Sequence, residues 1–171
     1  MTLTLTISEE AESKAVGARL GTILKGGDII CLAGPLGAGK STLCRAAIQA
    51  ACTLKPPSDI PSPTFTLVES YDGDRAPIHH YDLYRLEKAS DVYELRIEEA
   101  MENDICLIEW AERIAELLPP NCLIISINPV YDETGNPVVS ARTINFIGDH
   151  SWETRIIDAG MNTANFKPPA K

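Results

Sequence analysis

Residues 34–42 read GPLGAGKST and follow directly on the apolar run IICLA. Small flexible residues, then a lysine and two hydroxyls, are the types that hold phosphate. Gly37 and Gly39 let the backbone curl around Ala38 so that successive N–H groups face an anion. A helix opening at Lys40 adds the positive end of its dipole. Lys40 offers a mobile charge to β- and γ-phosphates, Ser41 a hydroxyl to Mg²⁺, and Thr42 a contact to the α-phosphate. Gly34, Gly39, Lys40 and Ser41 match GxxxxGK[ST], the P-loop pattern, in the strand–loop–helix setting that the pattern needs.

Phosphate chemistry with a metal also needs carboxylates. Glu109 comes immediately after ICLI, and ligands gather at the carboxyl ends of strands in open α/β sheets. That is where a Walker-B acid stands. Asp82 is the second candidate: Ile78, His80, Asp82 and Tyr84 share one face by the strand period of two. An Asp inside a strand is disfavoured unless it has a task. The plainer alternatives are a surface Glu that starts a helix and an Asp kept for packing. His79 and His80 point to opposite faces and do not easily hold one ion, which leaves them structural or supporting roles. DETG at 132–135 copies a GTPase switch motif by accident, since no NKxD guanine reader occurs anywhere. ATP is therefore expected over GTP.

These groups need a scaffold. TLTLTI (2–7) alternates like an edge strand, and Ser8 is placed to cap a helix whose core stripe is Val16, Leu20, Ile23 and Leu24. GlyGly at 26–27 ends that segment. DIICLA (28–33) reads as a strand covered on both faces, and the next helix runs from GKST to about Cys52. A Pro-rich loop, 55–63, is followed by strands at 64–71 and 77–83, joined through DGDRA as a hairpin with an Asp-Gly turn. Short helices are expected over 90–101 and around 111–118. Buried strands are expected at 104–108 and 122–127, an outer strand at 137–147, and a last short helix in SWETRIIDAG. The pattern is an α/β fold: a P-loop NTPase-like three-layer domain with a mixed sheet, parallel at its centre with an antiparallel hairpin. One domain over 1–160 and a flexible tail over 161–171 are expected.

Composition narrows the setting. The 171 residues are 44% hydrophobic and 23% charged, a globular balance. Uncharged apolar stretches are far too short to span a membrane, and the N-terminus lacks the basic-then-apolar pattern of a secretory signal. Five dispersed cysteines read as free thiols in a reducing compartment, which points to the cytoplasm. A net charge of −9 with scattered basic residues argues against an autonomous grip on nucleic acid.

Four segments, GPLGAGKST, SPTFTLVESY (62–71), HHYDLYRL (79–86) and LIEW (107–110), together resemble the TsaE (YjeE) family. These are small ATPases of bacterial tRNA threonylcarbamoyladenosine synthesis, and the likeness covers about residues 8–127. The resemblance implies a Mg²⁺-dependent ATPase working with TsaD and TsaB, which transfer threonylcarbamoyl to A37 of tRNAs reading codons that begin with A. Contact with tRNA would be indirect, through those partners, and no membrane is involved. Carried over by position, Gly37, Ala38, Gly39, Lys40, Ser41 and Thr42 bind nucleotide. Thr64 resembles a switch threonine near the γ-phosphate, Asp82 and Glu109 the essential acids, and Trp110 a site-adjacent aromatic. Three positions depart from the family pattern: Pro35 where an acid is common, Ser41 where Thr is commoner, and Ala111 where Pro often follows the Trp. Two other readings stay open, a small-molecule kinase and a nucleotide-dependent binding module that does not hydrolyse.

Overall fold

In chain order, residues 1–162 of the computed structural model form β1 (Thr2–Ile7), α1 (Glu10–Ile23), β2 (Ile29–Ala33), α2 (Lys40–Ala51), β3 (Val68–Tyr71) and β4 (Ile78–Asp82). After a 3₁₀ segment at Ala89–Leu95 come α3 (Ile97–Asn103) and β5 (Ile105–Glu109). A second 3₁₀ segment, Ala111–Leu117, leads to β6 (Leu123–Tyr131), β7 (Pro137–Ile147) and α4 (His150–Asp158). The strands make one sheet in the order β1-β7-β6-β2-β5-β4-β3.

IICLA and ICLIE offer almost no polar side chain to a solvent face. They accordingly lie next to each other, in parallel, in the middle of the sheet. β6 and β4 flank them, also parallel, while β7, β1 and β3 add antiparallel pairs at the two sides. Side chains alternate between two cores. Ile30, Leu32, Leu107 and Ile125 pack under Val16, Leu20, Ala47 and Ile48 of α1 and α2 and under Ile156 of α4. Ile29, Cys31, Cys106 and Ile108 face the other way, against Leu86, Val92, Ile97, Ala100 and Ile114. This gives the three expected layers. No helix among the described residues is long and apolar enough to cross a membrane.

The seam between α1 and α2 is the tightest helix contact, and small residues make it possible. A Cβ at Gly21 would stand 2.2 Å from the Ala47 carbonyl oxygen and 2.9 Å from the Ala50 methyl. Gly17 meets Leu43 and Ala46 in the same way, at 2.4 and 2.9 Å. α1 therefore braces the helix that carries the phosphate loop. At the far end Asp149 caps α4, accepting from Ser151 N–H at 2.9 Å and Trp152 N–H at 3.1 Å. Arg155 of that helix lies 4.1 Å over the Trp152 ring and pairs with the buried Asp28 at the entry to β2.

Several expectations need correction. The cap of α1 is Glu9 and not Ser8, because the Glu12 carboxylate turns back to accept from both Ser8 N–H (2.6 Å) and Glu9 N–H (3.3 Å). The strand expected from Thr64 begins only at Val68. Leu67 takes a left-handed φ of 65° and its N–H closes onto the Pro63 carbonyl, so Thr64–Leu67 turns inward instead of extending. The connection to β4 is no tight Asp-Gly turn. Asp74 is drawn away to cap the end of α2, accepting from Thr53 N–H and Leu54 N–H, which opens the loop. β7 is not outermost, since β1 pairs along its other edge. Met161, placed by the sequence at the start of the tail, is fully buried, and residues 163–171 lie outside the described residues.

Candidate functional site

Two parallel strands that end together can place two side chains side by side. Asp82 closes β4, Glu109 closes β5, and the two are register partners. Both are buried, at 4% and 2% exposure, on the face that looks toward α2. A charge is seldom buried without a partner, and each acid has its own. Glu109 Oε2 accepts from the Ser41 hydroxyl at 3.0 Å, and Oε1 accepts from His80 Nε2 at 2.9 Å. Asp82 Oδ2 accepts from the Thr64 hydroxyl at 2.7 Å, and Oδ1 from Tyr84 N–H at 3.0 Å. Ser62 extends the chain, its hydroxyl 2.9 Å from that of Thr64.

The loop between β2 and α2 supplies the opposite wall. Gly37 and Gly39 hold φ of 76° and 107°, with nothing within 4 Å of where a Cβ would stand. Other residues would resist that left-handed backbone, which glycine adopts without a steric penalty. Lys40 is the first residue of α2 and only 5% exposed. Its ammonium donates to the Gly34 and Pro35 carbonyls at 2.8 and 3.0 Å and lies 4.1 Å from the centre of the Trp110 ring. With three N–H donors on the ammonium, one is left over for a ligand. Burial pulls the Lys40 pKa below that of a free lysine, and the charges of Glu109, Glu112 and Asp82 only partly offset this.

Trp110 owes its position to a strained turn. It follows Glu109 with a left-handed φ of 60°, and its N–H donates to the Leu32 carbonyl at 3.2 Å. A bulky residue held in that region costs about 1–3 kcal/mol and persists only where its surroundings demand it. Here the turn lays the indole beside Lys40 and 5.1 Å from the Tyr84 ring.

Gly37, Ala38, Gly39, Lys40, Ser41, Thr42, Thr64, Asp82, Glu109 and Trp110 all line one cleft of about 300 Å³, with Leu36 and Tyr84 at its edge. Every residue singled out in the sequence for nucleotide or metal is therefore on its wall. A smaller recess of about 160 Å³ shares Gly37–Gly39 and Thr42 and continues toward Glu10, Ser13, Ser140 and Arg142. The larger groove of about 860 Å³ between α1, α2 and residues 58–61 meets the site only at Thr42. Lys40, Asp82 and Glu109 lie on the wall of the smaller cleft and not of this groove.

The donor set is hard. Carboxylate and hydroxyl oxygens from Asp82, Glu109, Ser41 and Thr64 suit Mg²⁺ beside phosphates. Cys44, His80 and Glu109 also bring ligand atoms within 4.8 Å of one another. Burial, reinforced by Glu109 and Asp82, pushes the Cys44 thiol well above its ordinary value, so it stays protonated and packs. Sequence reasoning missed two contacts, that of His80 with Glu109 and the stacking of Lys40 on Trp110. The first had a signal: His80 shares the Asp82 face and pairs with Leu107, two residues before Glu109.

Residues 7–136 match the family model described as "Threonylcarbamoyl adenosine biosynthesis protein TsaE". A TsaE protein of Rickettsia conorii is 41% identical over 156 residues, 90% of this chain and 84% of the relative. One from Haemophilus influenzae is 36% identical over 135 residues, 78% of each chain. The crystal structure of Bacillus subtilis YdiB superposes with a TM-score of 0.71 at 28% identity, covering 94% of this chain and 95% of the other.

Proposed function

The chain belongs to the TsaE family of tRNA threonylcarbamoyladenosine biosynthesis, and on that premise we propose that it binds ATP with Mg²⁺ and hydrolyses it to drive partner proteins. The observation that carries this reading is the shared cleft. A lysine-headed phosphate loop faces two register-paired acids, one of them already bonded to the loop serine. Lys40 engages the β- and γ-phosphates, Ser41 and Glu109 hold the metal, and Asp82 orients water. Mg²⁺, when bound, screens the phosphate charge. Water adds to the γ-phosphorus while the bond to the β-γ bridging oxygen breaks, which leaves ADP and inorganic phosphate.

Net charge and surface support an accessory role. An acidic chain is a poor direct ligand for tRNA, so tRNA is held by the partners, TsaD and TsaB, which carry out the transfer. Exposed Leu36 lines the cleft and exposed Phe65 follows Thr64 of its wall, where a partner would cover them. The free thiols among the described residues suit the cytoplasm.

Calorimetry with ATP and Mg²⁺ tests the loop assignment. Lys40→Ala should weaken binding about ten- to a hundredfold, the equivalent of about 1.5–3 kcal/mol for one charge-assisted contact. The fold, followed by circular dichroism, should not change. A folded variant that binds ATP as the parent does would refute the assignment.

A further inference from the structure

We propose that His80 is a positioning residue. Its imidazole fixes the Glu109 carboxylate so that one oxygen is kept for the loop serine and the metal. This rests on the ATPase reading above and adds a residue outside the cleft. His80 is completely buried and not on the cleft wall, so it touches neither nucleotide nor solvent. The only hydrogen bond of its imidazole among the described residues runs from Nε2 to Glu109 Oε1 at 2.9 Å. A carboxylate only accepts, so the proton sits on Nε2 and the bond sets the plane of the carboxyl group. The other oxygen, Oε2, is thereby left pointing at the Ser41 hydroxyl.

The second imidazole nitrogen carries the argument further. Nδ1 is buried with no hydrogen-bond partner among the described residues. A polar atom in that state opposes folding, so packing alone gives no reason to have an imidazole here. The reason lies on the Nε2 side. Glu109 ends its strand on a short side chain with three free torsions, and a metal ligand must hold its geometry closely. Groups that hydrogen-bond a ligating side chain are worth about ten- to a hundredfold in metal affinity.

The test compares two amides of different reach. His80→Gln places an N–H near the Nε2 position, whereas His80→Asn reaches only as far as Nδ1. The readout is Mn²⁺ affinity of the ATP complex by electron paramagnetic resonance, alongside ATP affinity without metal and urea denaturation. H80N should lose about tenfold or more in Mn²⁺ affinity, with metal-free ATP affinity unchanged, and H80Q should recover most of it. Equal Mn²⁺ affinity in both variants and the parent, or an equal loss in both, overturns the positioning role. If H80N does not fold, His80→Leu, which has no N–H to give, takes its place beside H80Q and the same outcomes decide. A parent chain whose ATP complex binds no Mn²⁺ refutes the ATPase reading itself, and this inference with it.

Discussion

Lys40 shows how burial prepares a charge for its ligand. In the protein alone its pKa is lowered by desolvation, and a polyphosphate beside it would restore the protonated form. Binding is then tightest where Lys40 already carries its proton, below the lowered pKa. It weakens as pH rises through that value, starting at a lower pH than the 10.5 of an ordinary lysine implies. Titrating ATP affinity upward from neutral pH should show this decline, and Lys40→Ala should flatten it. The acids act on a different step. Glu109→Gln and Asp82→Asn keep size and hydrogen bonds but remove charge, so turnover should fall on the order of tenfold or more while ATP affinity changes less. Single-turnover assays beside binding titrations separate the two. Undiminished catalysis in both variants with Mg²⁺ present would move the metal site elsewhere.

At the scale of elements, the site depends on α2 being held at a fixed distance by α1. An alanine in place of glycine normally favours a helix by about 1 kcal/mol. At Gly21 the new methyl would meet the Ala47 carbonyl oxygen at 2.2 Å, so the helices must separate. Gly21→Ala should therefore destabilise by about 1–3 kcal/mol, the usual result of overpacking, as measured by urea denaturation. The elements that sequence made legible were those with strong periodicity or a motif. The doubly buried β2 and β5, the loop-headed α2 and the acids at strand ends all follow from local pattern. What stayed hidden depended on side chains from elsewhere. Glu12 drew the cap of α1 from Ser8 to Glu9, Asp74 left its turn for the end of α2, and Thr64 folded in because Asp82 accepts its hydroxyl.

For the whole molecule, the question is how nucleotide chemistry reaches a partner. Thr64 links the Pro-rich segment 55–63 to Asp82, so a γ-phosphate and metal that compete for these groups would reset the loop. A partner that prefers one loop state shifts its population, and nucleotide in turn tightens the partner by the same factor. Association with TsaD and TsaB should then differ between ATP, ADP and no nucleotide, and Thr64→Ala should reduce that difference in pull-down or calorimetry. The central claim is that the γ-phosphate goes to water and the energy to the partners. Its most direct measurement is release of ADP and phosphate from Mg²⁺-ATP by this chain, alone and with TsaD and TsaB, with no phosphate acceptor present. Release should be slow for the chain alone and faster with the partners, and Glu109→Gln should abolish both. No release in either condition, or the same rate in the Glu109→Gln variant, would contradict it.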